Sequence, residues 1–203
     1  MPRTENEARE RALAPLSPDA VHHLETFVAL LREWGKTHNL IGRHEFDRIW
    51  TRHVLDSLAL APLLNDGALI DLGSGAGFPG LVLALTQPDR RVTLVESSRR
   101  KAGFLSHVAG VTGVPVTVRP ARIEAQPDEV FPNVSARALA PLSTLLTLSA
   151  RFFGTETVGL FPKGREAATE LSDAQTRHAF DAELVKSATD PDAAVIVVRH
   201  LAR

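Results

Sequence analysis

A doubly wound α/β fold with a mostly parallel sheet is expected over residues 66–203, with a small helical extension over residues 1–65 packed on it. Three observations predict this. The run Ala68-Leu69-Ile70-Asp71-Leu72 feeds Gly73, Gly75 and Gly77, with Pro79 just beyond, which reads as a buried parallel strand, a sharp turn and a helix start. From there to about residue 174, strand-length apolar runs alternate with helical patterns. The last two runs, Glu183–Ser187 and Ala194–Leu201, read as an antiparallel pair at the sheet edge. At 203 residues and 44% hydrophobic composition, one domain with an appendage fits better than two full domains.

Residues 1–16 are charged and irregular and are expected to fray. Ser17 can cap a helix whose first position is Pro18; Val21, Leu24, Val28 and Leu31 recur at helical spacing as far as Gly35, and Phe27 and Trp34 widen the apolar face. Lys36 to Arg43 breaks the pattern. A second helix is expected from about Glu45 to Leu64, with Phe46, Ile49, Trp50, Val54, Leu58 and Ala61 facing inward. Arg48, Arg52 and Asp56 then share its other face, where an Arg52–Asp56 ion pair on a solvated surface explains them as well as a binding role does.

After the Asp66-Gly67 turn come the strand at 68–72 and a helix from Gly80 to Thr86. A second strand spans Arg91 to Glu96, followed by a helix capped by Ser97 or Ser98 and running to about Val111. Val116–Arg119 and Asn133–Ala136 are the third and fourth strands. Pro141 opens a helix, Thr157–Phe161 is the fifth strand, and Gly164 to about Ala174 is helical.

Composition narrows the chemistry. A formal net charge of −1 gives no global pull toward nucleic acid, so any RNA face must come from local clustering of the 23 Lys and Arg. The absence of cysteine excludes a disulfide framework, a cysteine-based zinc site and a thiolate nucleophile, and with the last the thiolate-first methylation of pyrimidine C5. No signal-peptide pattern or apolar run of spanning length occurs, so a cytoplasmic protein is expected, with no membrane or metal partner.

The glycine stretch fits two ligand classes. Gly75, Gly77 and Gly80 formally satisfy the dinucleotide fingerprint, with Glu96 at about the distance of a ribose acid. The frame that covers the whole stretch, Asp71-x-Gly73-x-Gly75-x-Gly77, instead resembles the cofactor loop of class I S-adenosylmethionine-dependent methyltransferases. That cofactor carries a sulfonium and an ammonium but no phosphate, so Asp71 complements it and would repel a pyrophosphate. A turn that binds nothing would not need three alternating glycines, which raise the entropic cost of folding.

In a doubly wound sheet, ligands sit beyond the carboxyl ends of the strands. Glu96 ends the second strand and can accept from both ribose hydroxyls, with Ser97 beside it. Arg122-Ile123-Glu124 follows the third strand and either holds an adenine or is an ordinary loop. Arg137 ends the fourth strand and Lys163 the fifth, so two cations point at one mouth.

The chain also resembles the bacterial RsmG, or GidB, family, which methylates N7 of a guanine in the 530 loop of 16S ribosomal RNA. The resemblance is carried by His38-Asn39-Leu40, Arg52-His53-Val54-Leu55-Asp56-Ser57, Asp71 to Gly80, Arg122-Ile123-Glu124, Arg137-Ala138 and Phe161-Pro162-Lys163-Gly164. Ile41 and Leu139 stand where the family usually has Thr and an aromatic. The resemblance implies that Gly73, Ser74, Phe78, Ile123, Glu124 and Arg137 lie at the cofactor. It also implies that Asn39, Arg48, Arg52, His53 and Lys163 lie near RNA, with 16S ribosomal RNA in a small subunit or its precursor as partner of a monomer.

The remaining chemistry agrees. Guanine N7 has an in-plane lone pair and no proton, so no general base is required, only positioning, here assigned to Arg137 and Lys163. The fourth strand ends Ser135-Ala136-Arg137-Ala138, without the Asp/Asn-Pro-Pro-aromatic group that orients exocyclic amines. Alternatives are a methyltransferase for another RNA or a small molecule, a non-enzymatic nucleotide-binding module, and a nicotinamide oxidoreductase; the last two leave Asp71 unexplained.

Overall fold

The computed structural model describes residue 2 and residues 4–202, with the side chain of Arg43 outside the described set. Helix α1 spans Glu5–Leu13, capped by Thr4, whose hydroxyl accepts from Glu7 N at 3.2 Å. The fraying expected of residues 1–16 is therefore corrected over Glu5–Leu13; residues 1 and 3 lie outside the described residues. Ala8 and Ala12 are buried in the same apolar cluster as Leu24 and Phe27, and such tertiary packing stabilises a helix too short to persist alone. A face built from two alanines leaves almost no hydropathy signal.

Helix α2, Pro18–Gly35, starts where the sequence places it, with Ser17 Oγ accepting from Ala20 N at 3.3 Å. The single helix expected over 45–64 is not formed. A 3-10 turn (Arg43–Arg48) runs into a π-helical turn (Ile49–Val54), then one turn of α-helix, α3 (Leu55–Leu58), and a 3-10 turn (Ala61–Leu63). Ile49, Trp50 and Val54 are buried as expected, whereas Phe46, Leu58 and Ala61 are only partly so. The changed register also separates Arg52 from Asp56. Arg52 Nε lies 3.5 Å from Glu45 instead, and Asp56 accepts a hydrogen bond from the Thr189 hydroxyl.

The remaining elements are β1 (Leu69–Leu72), α4 (Gly80–Thr86), β2 (Val92–Val95), α5 (Arg99–Thr112), β3 (Val116–Arg119), β4 (Asn133–Ala136), α6 (Leu142–Ser149), β5 (Val158–Lys163), α7 (Ala167–Gln175), β6 (Asp181–Lys186) and β7 (Ala194–Arg199). They form one seven-stranded sheet in the order β3-β2-β1-β4-β5-β7-β6. The first five strands are parallel, and β7 enters antiparallel between β5 and β6. Because β1 pairs with β2 on one side and β4 on the other, the order reverses there, opening a crevice beyond the carboxyl ends of the strands.

Two apolar layers sandwich the sheet. On one face Phe27 of α2, Leu81 of α4 and Phe104 of α5 share a cluster, so the N-terminal helices and the sheet domain have a continuous core. On the other, Leu145 and Leu146 of α6 pack with Phe152, Phe161 and Ile196.

Candidate active site

The glycine loop turns through left-handed backbone at Gly73 (φ 68°), Gly75 (φ 58°) and Gly77 (φ 109°), a region other residues rarely adopt. Gly73 N and Ser74 N both donate to Val95 O, at 2.8 and 3.0 Å, and Ser74 Oγ donates to Asp71 O at 3.0 Å. Beside Gly75 the space is open: the nearest atom to an added Cβ is Gly73 O at 3.8 Å. This backbone face can therefore receive a ligand closely.

Asp71 departs from the role expected of it. Its carboxylate is 0% exposed; Oδ1 accepts from Ser135 Oγ at 2.7 Å and Oδ2 from Gly80 N at 3.2 Å. It thus ties β1 to β4 and to the start of α4, and neither oxygen faces the crevice. Burial raises its pKa to about 6, against the opposing effect of its hydrogen bonds.

Glu96 is 8% exposed and clasps the loop: Oε2 accepts from Gly75 N at 2.8 Å and Oε1 from Ser98 N at 2.7 Å. A carboxylate has about four lone-pair positions, so acceptance from ribose hydroxyls is compatible with both bonds. Ser98 rather than Ser97 caps α5, through Lys101 N at 3.4 Å, and Ser97 is exposed. Ile123 is buried in a 3-10 turn (Ile123–Ala125), while the Glu124 side chain is exposed and its carbonyl accepts from Arg151 at 3.1 Å.

Beside the loop lies a pocket of about 940 Å³ whose walls include Arg48, Arg52, Asp56, Arg137, Leu139 and the Ser187–Asp190 turn, a size at the upper end for ligand sites. Leu139 joins the two regions, since its Cδ1 lies 2.8 Å from where a Cβ on Gly73 would stand. Phe78 joins them too. The His53 ring centroid is 4.8 Å from that of Phe78, and the Arg137 guanidinium stands 5.7 Å above the same ring.

His53 and Lys163, both expected near RNA, line this pocket, but their side chains are largely buried and hydrogen-bonded within the protein. His53 is 6% exposed; Nε2 lies 2.8 Å from Glu45 Oε2, and Nδ1 pairs with an Arg137 N–H. Burial, then the Arg137 charge, lowers its pKa to about 4, so the neutral ring accepts from Arg137 at Nδ1 and donates to Glu45 at Nε2. Arg137 also donates to Arg52 O at 3.2 Å. Burial lowers its pKa as well, but a guanidinium stays charged.

The Lys163 side chain is 8% exposed, its ammonium donating to Glu170 Oε2 at 2.6 Å and Ala140 O at 2.7 Å. Since Glu170 also accepts from Leu142 N at 2.7 Å, Lys163 ties the end of β5 to α6 and α7 at the pocket wall, and the ion pair with Glu170 engages its charge. Asn39, Arg48 and Arg52 are exposed as expected, and Arg48 and Arg52 line the pocket; Asn39 does not. The Arg43 side chain lies outside the described set. Glu45 and Glu170 carry no sequence signal because their partners His53 and Lys163 stand 8 and 7 residues away across a change of element, and Thr189 because Asp56 is 133 residues away.

The buried pair Asp71 and His53 makes an opposed pH signature. His53, with its pKa depressed from 6.5 to about 4, contributes stability above pH 6.5 that is lost as pH falls toward 4. Asp71, raised from 3.8 to about 6, contributes stability below pH 3.8 that is lost as pH rises through 6. In the Asp71→Asn variant only the His53 effect remains. The stability difference, parent minus variant, should therefore grow by on the order of 2 kcal/mol as pH falls from 6 to 4. Urea denaturation of both proteins across this range measures it; a constant difference would mean that Asp71 titrates as a solvated carboxylate.

Comparison with known proteins gives the family. The family model described as "GidB: rRNA small subunit methyltransferase G" matches residues 20–197. A "Ribosomal RNA small subunit methyltransferase G" of Parvibaculum lavamentivorans is 46% identical over 197 residues, covering 94% of this chain and 87% of the relative. Among solved structures, a TehB-like SAM-dependent methyltransferase from Corynebacterium glutamicum superposes with a TM-score of 0.59 at 12% identity, covering 84% of this chain and 98% of that one. Aeropyrum pernix fibrillarin, solved with natively bound S-adenosyl-L-methionine, gives 0.53 at 14% identity, covering 71% and 76%. These two carry the fold, that of class I methyltransferases, and the sequence matches carry the family: this chain belongs to the GidB family of rRNA small subunit methyltransferases.

Proposed function

We propose that this protein transfers the methyl group of S-adenosylmethionine to N7 of a guanine in the 530 loop of 16S ribosomal RNA, acting in the cytoplasm as a monomer on the small subunit or its precursor. The observation that carries the reading is one pocket walled by Arg48, Arg52 and Arg137 and joined to the glycine loop through Leu139 and Phe78. A cationic wall suits phosphate, and the neighbouring loop suits a cofactor without one. The substrate class follows the shared name of the curated relatives.

The residues fit the cofactor. Gly75 would face it with open backbone on the turn that Gly73 and Gly77 shape, Glu96 would take its ribose and Ile123 its adenine, with Asp71 holding the loop from behind. S-adenosylmethionine supplies a methyl group activated on a sulfonium. The chain's part is to align guanine N7 with that carbon and exclude water. Arg137 spends two N–H groups on His53 and Arg52 O and keeps others of its five for guanine O6, the acceptor beside N7, or for the cofactor carboxylate. No group need accept a proton at N7, and His53, buried behind Arg137, is not placed to.

Arg48→Ala and Arg52→Ala test the reading. Each should leave S-adenosylmethionine affinity unchanged, weaken rRNA binding, and reduce the log–log salt slope by about 1 for each phosphate that is no longer neutralised. The Arg52–Glu45 pair is largely exposed, so its removal should leave stability within about 1 kcal/mol. Salt-independent turnover by both variants at the parental rate would turn the reading toward a small-molecule substrate. Nucleoside analysis of 16S RNA from a deletion strain and its complemented partner, read for 7-methylguanosine, tests the position of methylation.

A further inference from the structure

The π-helical turn Ile49–Val54 carries the pocket wall but has no cap of its own: Arg48 at its N-cap position makes no side-chain hydrogen bond to it. Its first amides are instead met from far along the chain. Glu5, the first residue of α1, accepts from Trp50 N at 2.8 Å and Thr51 N at 3.1 Å, and also from the Thr51 hydroxyl. One turn further along α1, Arg9 stands 5.9 Å from the centroid of the Trp50 ring and pairs with Glu25 of α2. The carboxylate therefore meets orphan amides and the positive end of the turn together. It also fixes Thr51, which lines the pocket, beside Arg52 and His53.

We propose that Glu5 is a positioning residue for the methyl-accepting RNA, holding the π-helical wall in the register that aims Arg48 and Arg52 at the pocket and presents Arg52 O and His53 to Arg137. The inference rests on the reading of this pocket as the RNA site. Helix α1 precedes residues 20–197, the stretch matched by the family model, so nothing in that match assigns it a role. A π-turn is also rare and tends to occur at functional sites, which gives its cap a task beyond stability. Released from Glu5, residues 49–54 can relax toward α-helix, rotating Arg52 and His53 relative to Arg137.

The test compares Glu5→Gln, which keeps the shape but removes the charge and one acceptor, with Glu5→Asp, which keeps the carboxylate on a shorter stem, and with Ala8→Gly, which weakens α1 without touching the cap. Small ribosomal subunits serve as methyl acceptor, with Arg48→Ala as reference. Glu5→Gln should lower kcat/KM for the subunit about tenfold, mainly through KM, the scale of one charge-assisted hydrogen bond. S-adenosylmethionine affinity should stay within about twofold. Glu5→Asp should recover part of the deficit, and Ala8→Gly should lower the melting temperature with KM unchanged. If Glu5→Gln loses only melting temperature or active fraction, as Ala8→Gly does, α1 is merely structural and the inference fails. If Arg48→Ala is also without effect on the subunit, the reading of the pocket fails first.

Discussion

Gly80→Ala is expected to cost roughly 2–4 kcal/mol of stability, with loss of S-adenosylmethionine binding, although it adds a single methyl group. The methyl would stand 2.5 Å from Asp71 Cβ and 2.6 Å from Leu94 Cδ2. Both neighbours are 0% exposed, so neither can swing into solvent to make room. Moving Asp71 also breaks its bonds to Gly80 N and Ser135 Oγ, leaving a buried carboxylate partly unsatisfied in the loop's support. Gly103→Ala is the control: it lies within α5, nothing stands within 4 Å of its Cβ position, and alanine there should raise stability by about 1 kcal/mol. Chemical denaturation and calorimetric titration with S-adenosylmethionine measure both. A Gly80→Ala protein as stable as its parent would show that β1 and α4 are not wedged together as described.

How far the sequence reached follows from where each signal resides. The glycine loop was legible because its conformation is written in residue type: Gly73, Gly75 and Gly77 all take positive φ. The strands were legible because a buried parallel strand is a short apolar run, and β3 and β4 begin and end at the expected residues. The antiparallel C-terminal pair was also expected, whereas the insertion of β7 between β5 and β6 depends on pairing that local pattern does not encode.

The site was legible as a set of charges and less so as a set of roles. Arg48, Arg52 and Arg137 do meet at one pocket. Asp71 and Lys163 were read as facing ligands because acids and cations at strand ends usually do; their burial depends on Ser135, Glu170 and the Ala140 carbonyl, none of which is marked by spacing. The burial of His53 at the pocket wall is hidden by the helix register, because a π-turn at 49–54 looks like α-helix to a 3.6-residue pattern. Helix α1 was missed for a related reason: its hold on the protein is Glu5 reaching 45 residues ahead.

Arg137→Gln should lower methyl transfer by roughly 10²–10³-fold, the scale at which loss of a preorganised charged donor acts in an enclosed site. The guanidinium links three groups at the pocket wall: it donates to Arg52 O and to His53 and stands over Phe78. Gln is shorter and uncharged, so it cannot reach both acceptors and still present a donor to the substrate. Arg137→Lys should recover little, because a single ammonium cannot reproduce a planar fork that spans two acceptors and stacks on a ring. A titration separates this from general misfolding. Arg137 is the second cause, after burial, of the low His53 pKa. In Arg137→Gln that pKa should rise from about 4 but stay below 6.5, because the ring remains buried. Proton NMR of the His53 ring, read beside single-turnover methyl transfer, gives both numbers from one protein. A variant with an unshifted His53 and near-parental turnover would remove Arg137 from the centre of the site.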